Sequence, residues 1–187
     1  ASVFDHESTP VLDIRVRVPD ERGATLEKVF AINVTDVNEA PTFTNNVVNG
    51  QLETTFAGGN GSQGNYFQVN VTAESGILVT SMTGHFTSSG DVKVWTREGI
   101  VGDVVNSSTG WNQVASATIS TTGAEQKTFP TNFFLSKGTY TFLFCNSAGV
   151  KYTDDTLGTV AANDANLSIF VGYGTARNSP SGSEDIF

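Results

Sequence analysis

Residues 139–145 read Thr-Tyr-Thr-Phe-Leu-Phe-Cys, and this stretch decides the fold class. Its aromatic residues recur with a period of two, which places Tyr140, Phe142 and Phe144 on one face of a β-strand. The same spacing of apolar residues recurs at Phe67, Val69 and Val71 and at Val92 and Val94. Such faces fill the core between two packed β-sheets. The sequence therefore predicts an all-β fold.

Short alternating segments separated by Gly, Asn and Ser turns are typical of a β-sandwich or a jelly roll. We expect strands at residues 11–18, 26–34, 51–56, 66–73, 76–83, 91–97, 111–120, 127–135, 139–145, 150–153 and 167–173. The glycine-rich run at residues 58–62 is interpreted as a flexible loop, since no helix follows it to make a phosphate site.

Composition excludes several classes of function. The 187 residues include nineteen acidic and ten basic side chains, and the resulting net charge of −9 argues against binding to nucleic acid. No run of eighteen or more apolar residues predicts a membrane span. Two histidines and one cysteine cannot be assembled into a catalytic triad or a zinc site, so we expect no enzymatic activity. Cys145 is interpreted as a small buried hydrophobic residue.

The run Asp36-Val37-Asn38-Glu39-Ala40-Pro41-Thr42-Phe43 concentrates oxygen donors in a segment that proline stiffens. Calcium takes six to eight oxygens from carboxylates, amides and backbone carbonyls. Two predicted strands separate this run from an upstream acidic pair, Asp5 and Glu7. If these strands form a hairpin, both acidic clusters lie at the same end of the domain. The expected Ca²⁺ ligands are Asp5, Glu7, Asp36, Val37, Asn38 and Glu39. The alternative is a polar turn that binds no ion.

Residues 4–43 resemble the C-terminal half of a cadherin-type repeat. The resemblance rests on an acidic D-x-E, two strands, and a D-x-N-D/E-x-P-x-F linker into the next domain. It implies an Ig-like sandwich with calcium at the junction, of which residues 1–41 supply only the last two strands. The missing strands must then come from upstream sequence or from a neighbouring chain, because about 40 residues rarely fold alone.

Residues 42–187 form the second expected domain, which is similar to a β-sandwich module of large secreted bacterial surface proteins. The similarity is carried by Gly64–Val69, Gly76–Ser81, Val92–Arg97, Ser108–Trp111 and Lys137–Phe142. It implies an extracellular, secreted or cell-surface location, and it assigns no activity to particular residues.

Trp95 is the candidate ligand-binding residue of this domain. It shares a strand face with Lys93 and Arg97. An aromatic ring exposed on such a face can hold a sugar by stacking on the pyranose ring, as in many carbohydrate-binding modules. The alternative is that Trp95 packs on a neighbouring strand or receives a cation–π contact from Arg97. Trp111 is interpreted as a core anchor.

These observations favour a calcium-rigidified extracellular module that serves cell adhesion or display. Its partners would be adjacent modules of the same protein or neighbouring copies, and possibly glycans. Two alternatives remain open. One is a carbohydrate-binding accessory module of a secreted enzyme, and the other is an extracellular filament subunit assembled by strand donation.

Overall fold

The computed structural model describes residues 10–33 and 50–180. The chain divides into two compact units, residues 1–49 and residues 50–187. The predicted domain boundary at residues 41 and 42 lies outside the described residues, so it stays a prediction. Almost all regular structure in the described ranges is β-strand, which confirms the all-β class.

The first unit contains an antiparallel hairpin of β1 (Val11–Pro19) and β2 (Thr25–Asn33). The turn closes because Asp20 Oδ1 accepts hydrogen bonds from two backbone amides of the turn, at 2.9 and 2.8 Å. Gly23 has a φ of 86°, a left-handed conformation that glycine adopts without strain. The hairpin confirms the two strands expected in this part of the chain, as far as the described residues reach.

Residues 50–180 of the second unit contain eight strands and one helical turn. They are β3 (Asn60–Val71), β4 (Ile77–Phe86), β5 (Gly90–Glu98), α1 (Val101–Val104), β6 (Asn112–Ile119), β7 (Glu125–Leu135), β8 (Gly138–Tyr152), β9 (Val160–Asn163) and β10 (Leu167–Thr175).

Six of these strands form one antiparallel sheet with the order β6-β5-β8-β3-β10-β9. Strand β4 pairs with β7 along its length, and its pairing with the long strand β8 is limited to Phe86 opposite Val150. The β4–β7 pair thus packs over one face of the six-stranded sheet. This arrangement is a β-sandwich.

The main core lies between these two layers. Strand β8 contributes Tyr140, Phe142 and Phe144, as their period of two predicted. The remaining buried core residues come from β3, β4, β5, β6, β7 and the end of β8: Val69, Val71, Phe86, Val92, Val94, Ile119, Phe129, Phe133, Leu135 and Val150. Phe67, also predicted to face the core, packs against this cluster while partly buried.

Several strand predictions were wrong in detail. Residues 51–56 form no strand, and the expected loop at 58–62 is a strand from Asn60 onward, where Asn60 pairs with Tyr152. The two strands expected at 139–145 and 150–153 are one strand, β8, which continues through an irregularity opposite Ser62–Gly64. Strand β9 and helix α1 had no signal in the sequence, because each is only four residues long.

Within strand β10, a register shift reverses which side chains point toward the main core. Its register against β3 shifts between Phe170 and Tyr173, so Ile169 packs in the main core while Tyr173 packs on the opposite face. The shift brings the two backbones so close that a Cβ on Gly172 would lie 2.0 Å from the carbonyl oxygen of Tyr66. Only glycine fits this bulge.

We expect Phe142→Ala to lower the free energy of unfolding by about 3–5 kcal/mol, because it removes a ring from the centre of the core. Phe142 is 3% exposed and stacks on Phe67 at 5.2 Å between ring centroids. The matched control is Phe134→Ala, since Phe134 is 55% exposed and should contribute less than about 1 kcal/mol. Urea denaturation of both variants checks this, and similar losses for the two would contradict the position of the core.

Candidate functional site

The six predicted calcium ligands lie outside the described residues. They are Asp5, Glu7, Asp36, Val37, Asn38 and Glu39. Within residues 10–33 and 50–180, no three His, Cys, Asp or Glu side chains come together in a group that could hold a metal ion. The calcium site therefore stays a prediction from the sequence.

Trp95 lies on the face of β5 that points away from the main core. Trp95 pairs with Leu143 of β8, which in turn pairs with Tyr66 of β3. The Trp95 ring is partly buried and packs against the cluster that includes these two residues. The indole Nε1 is shielded from solvent and has no acceptor among the described residues. The structure thus gives Trp95 a packing contact, while its binding of a sugar remains a prediction.

The cluster beneath Trp95 is a second, smaller core on the outer face of the six-stranded sheet, here called the outer cluster. Its buried members are Tyr66, Val101, Val105, Leu143 and Cys145, and Trp95, Trp111 and Tyr173 pack against them. Helix α1 lies over this face because Val101 and Val105 contact the sheet.

Trp111 anchors the segment that follows α1. Its ring lies 5.6 Å from that of Tyr66, measured between centroids, and its Nε1 donates a 2.8 Å hydrogen bond to the carbonyl oxygen of Ser107. Both the ring and its polar atom are thus engaged in packing, as predicted for this residue.

Cys145 is the single cysteine and is 1% exposed. Its Sγ donates to the carbonyl oxygens of Asn178 at 3.2 Å and Lys93 at 3.5 Å. Burial raises the pKa of the thiol to about 12, although the charge of Lys93 and a hydrogen bond with the Lys93 backbone oppose the rise. The thiolate, which is the nucleophilic form, is therefore disfavoured at neutral pH. This confirms the prediction that Cys145 packs as a small buried residue.

The acidic pair Asp154 and Asp155 is engaged locally. Asp154 accepts a hydrogen bond from Asn60 Nδ2, and Asp155 Oδ1 accepts one from the backbone amide of Thr156 at 2.6 Å. Burial and the charge of Asp154 raise the pKa of Tyr152. The hydrogen bond between Asn60 and Asp154 ties the chain after β8 to the start of β3.

The surface clefts of the sandwich include two that are lined by residues of several strands. The smaller one has a volume of about 360 Å³ and is lined by Gly61, Ser62, Gln63, Thr87, Ser147, Ala148, Gly149 and Ala176. Its hydroxyl groups are engaged, because Ser62 Oγ donates to the Thr175 carbonyl at 2.6 Å and Thr87 Oγ1 donates to the Ala148 carbonyl at 2.5 Å. None of the described residues that line it is charged.

The larger cleft, here called the Arg97 cleft, has a volume of about 590 Å³. It lies where the end of β5 and the start of β6 meet the turn between β7 and β8. The polar residues that line it are Thr96, Arg97, Glu98, Asn112, Ser136 and Tyr140. Sequence reasoning noted Arg97 only as a cation beside Trp95, because nothing in the sequence shows that the β7–β8 turn reaches the end of β5.

Comparison with protein-family models, with curated proteins and with solved structures found no match to this chain. Among the described residues, moreover, no helix has the length and apolar character needed to cross a membrane.

Alkaline pH should destabilise the fold through the outer cluster. The pKa of Cys145 rises from 9.0 to about 12 on folding and that of Tyr66 from 10.0 to about 12, chiefly because both are buried. The stability that depends on the neutral thiol is thus present below pH 9 and is lost as the pH rises from about 9 to 12. Replacing Cys145 by Ala should reduce this loss.

Denaturant unfolding of the chain and of Cys145→Ala at several pH values between 8 and about 11 measures the effect. The control is Ser116→Ala, which removes an exposed hydroxyl that does not ionise in this pH range. The same dependence on pH with and without the thiol would show that Cys145 ionises as easily in the folded protein as in the unfolded chain.

Proposed function

We propose that this chain is a calcium-rigidified structural module of an extracellular, multidomain surface or adhesion protein. It acts by connecting and displaying its neighbours rather than by catalysis. The single observation that carries the proposal is the β1–β2 hairpin, which has an apolar face whose side chains are mostly exposed.

The two faces of the hairpin differ in chemistry. Register places the following side chains on one face: Leu12, Ile14, Val16 and Val18 from β1, and Leu26, Lys28, Phe30 and Ile32 from β2. Leu12 is half-buried, and the other apolar members are largely exposed, from 42% for Val16 to 74% for Leu26. The ammonium of Lys28, the only charged member, lies 5.1 Å from the centroid of the Phe30 ring.

The opposite face of the hairpin is suited to water. Glu27 forms ion pairs with Arg17 and, at 3.8 Å, with Arg15, and the two arginine side chains are largely exposed. A sheet with one apolar and one charged face is normally half of a packed pair. The hairpin thus has the pattern of strands that complete a larger sandwich.

An apolar face of this size favours association strongly. Burying a Val, Leu, Ile or Phe side chain contributes about 1.5–3 kcal/mol each, whereas a two-stranded hairpin alone is marginally stable in water. Partner strands from an adjacent module would therefore be held firmly. The acidic segment at residues 36–41 directly follows the hairpin, at the place where a junction between modules would need stiffening.

Calcium supplies that stiffening in the proposed mechanism. Carboxylates that converge at a junction repel one another, and a divalent cation that binds them together removes the repulsion and fixes the linker. The predicted ligands come from both sides of the hairpin, so one ion would tie the chain before β1 to the chain after β2.

Strand donation between copies is the second candidate, because the same apolar face fits it. In that case the partner strands come from a neighbouring copy, and the chain polymerises. The two candidates differ in whether the hairpin becomes protected in a sample of this chain alone at high concentration.

We expect Ca²⁺ to bind the chain and to raise its thermal stability, by about 2.7 kcal/mol when free Ca²⁺ exceeds Kd a hundredfold. Asp36→Ala should remove most of this gain. The control is Glu21→Ala, which removes the same charge from the exposed turn of the hairpin. Calorimetric titration and melting in Ca²⁺ and in EDTA measure the effect. A chain that takes up no Ca²⁺, or an Asp36→Ala variant that binds as tightly as Glu21→Ala, would refute the calcium proposal.

Hydrogen exchange tests the hairpin separately. In a dilute monomeric sample we expect fast exchange of the amides in β1 and β2 and slow exchange in β3, β5 and β8, because exposed hydrogen bonds open easily. Protection that grows with concentration and is lost in Phe30→Glu would favour strand donation. Strong protection in a monomer would show that the chain covers this face by itself, and the proposal of missing partner strands would fail.

A further inference from the structure

The Arg97 cleft combines a sheltered cation with hydroxyl-binding groups. It lies at one end of the sandwich, and its volume of about 590 Å³ falls within the range of small-molecule sites. It belongs entirely to the second unit and is therefore independent of the proposed calcium junction.

Arg97 is a cation without a counter-ion among the described residues. Its Nη1 is shielded from solvent and has no hydrogen-bond acceptor there. The ion pairs within residues 10–33 and 50–180 involve other cations, namely Arg15, Arg17, Lys127 and Lys137. A guanidinium that is partly withdrawn from water without an acceptor is destabilising, so this position calls for an anionic partner.

The guanidinium is held in place by the backbone beside it. A Cβ built on Gly110 would lie 3.4 Å from Arg97 Nε and 3.7 Å from Cζ, so the group packs against the bare backbone of this glycine. Gly110 itself has a φ of 78°, which disfavours a larger residue. A cation positioned in advance loses less entropy when it binds an anion.

The other polar groups of the cleft suit a ligand rich in hydroxyls. Tyr140 Oη contacts Ser136 Oγ at 2.9 Å and donates to the Ser136 carbonyl at 3.1 Å, which fixes this wall. Glu98 and Asn112 line the cleft and offer an acceptor and an amide. Glu98 also disfavours a ligand with several negative charges, because its carboxylate would repel any negative charge that Arg97 does not neutralise.

We propose that the Arg97 cleft binds a sugar that carries one carboxylate, a hexuronate residue. The guanidinium of Arg97 donates two parallel hydrogen bonds to the carboxylate, the geometry in which arginine holds such groups best. Glu98 accepts a hydrogen bond from a sugar hydroxyl, and Asn112 contacts another.

The test is calorimetric titration of the full chain with a galacturonate trisaccharide, and with a neutral galactose trisaccharide for comparison. We expect saturable binding of the acidic sugar and at least tenfold weaker binding of the neutral one. Arg97→Gln should weaken binding by about tenfold to a hundredfold, because a charge-assisted pair is lost. Arg97→Lys should recover only part of the affinity, since lysine keeps the charge and loses the paired geometry.

The matched control is Lys93→Gln, which removes the same charge from the same face of β5 and should leave affinity unchanged. Melting curves show whether each variant is folded. If Arg97→Gln does not fold, NMR of the unaltered chain takes its place, with shifts expected at Arg97 Nε–H and at the amides of Asn112 and Ser136. No saturable binding of the acidic sugar, equal binding of the neutral one, equal loss in Lys93→Gln, or shifts confined to other residues would each overturn the proposal.

Discussion

The burial of both faces of β8 is the constraint on which the sandwich depends. One face of this strand carries Tyr140, Phe142 and Phe144 into the main core, and the other carries Leu143 and Cys145 into the outer cluster. A strand whose two faces are both apolar requires another element of structure packed against each face. The β4–β7 pair covers the first face, and helix α1 with the segment around Trp111 covers the second.

This two-sided burial also determines where chemistry can take place. Side chains on the faces of the inner strands are occupied by packing, and the thiol of Cys145 and the phenol of Tyr66 are held neutral by burial. Polar side chains reach solvent instead at strand ends, where the layers separate. Arg97 lies at such an end, one residue before β5 finishes, and the Arg97 cleft is lined by residues of β5, β6 and the β7–β8 turn there.

Much of the sandwich could be predicted from alternation alone, because a period of two places Val92, Val94 and the aromatic residues of β8 on the core face whatever their partners are. The start of β3 could not be predicted, since Asn60, Gly61 and Ser62 carry no apolar signal and form a strand only because β8 lies beside them. The Arg97 cleft escaped prediction for a related reason. Its walls come from positions as distant in sequence as Glu98 and Ser136. The predicted calcium ligands lie outside the described residues, and Asp36 in particular rests on its sequence context alone.

The pairing of β3 with both β8 and β10 governs the order in which the second unit can form. Tyr66 of β3 pairs with Leu143 of β8, and Val71 of β3 pairs with Leu167 of β10. Strand β3, at the centre of the sheet, therefore acquires its second neighbour only after β10 has been synthesised. Contacts between residues so distant in sequence make folding slow, whereas the hairpin closes through near neighbours. A nascent chain can therefore close its hairpin before the sheet of the second unit forms, and a chain broken off before β10 would have a central strand with one side unpaired.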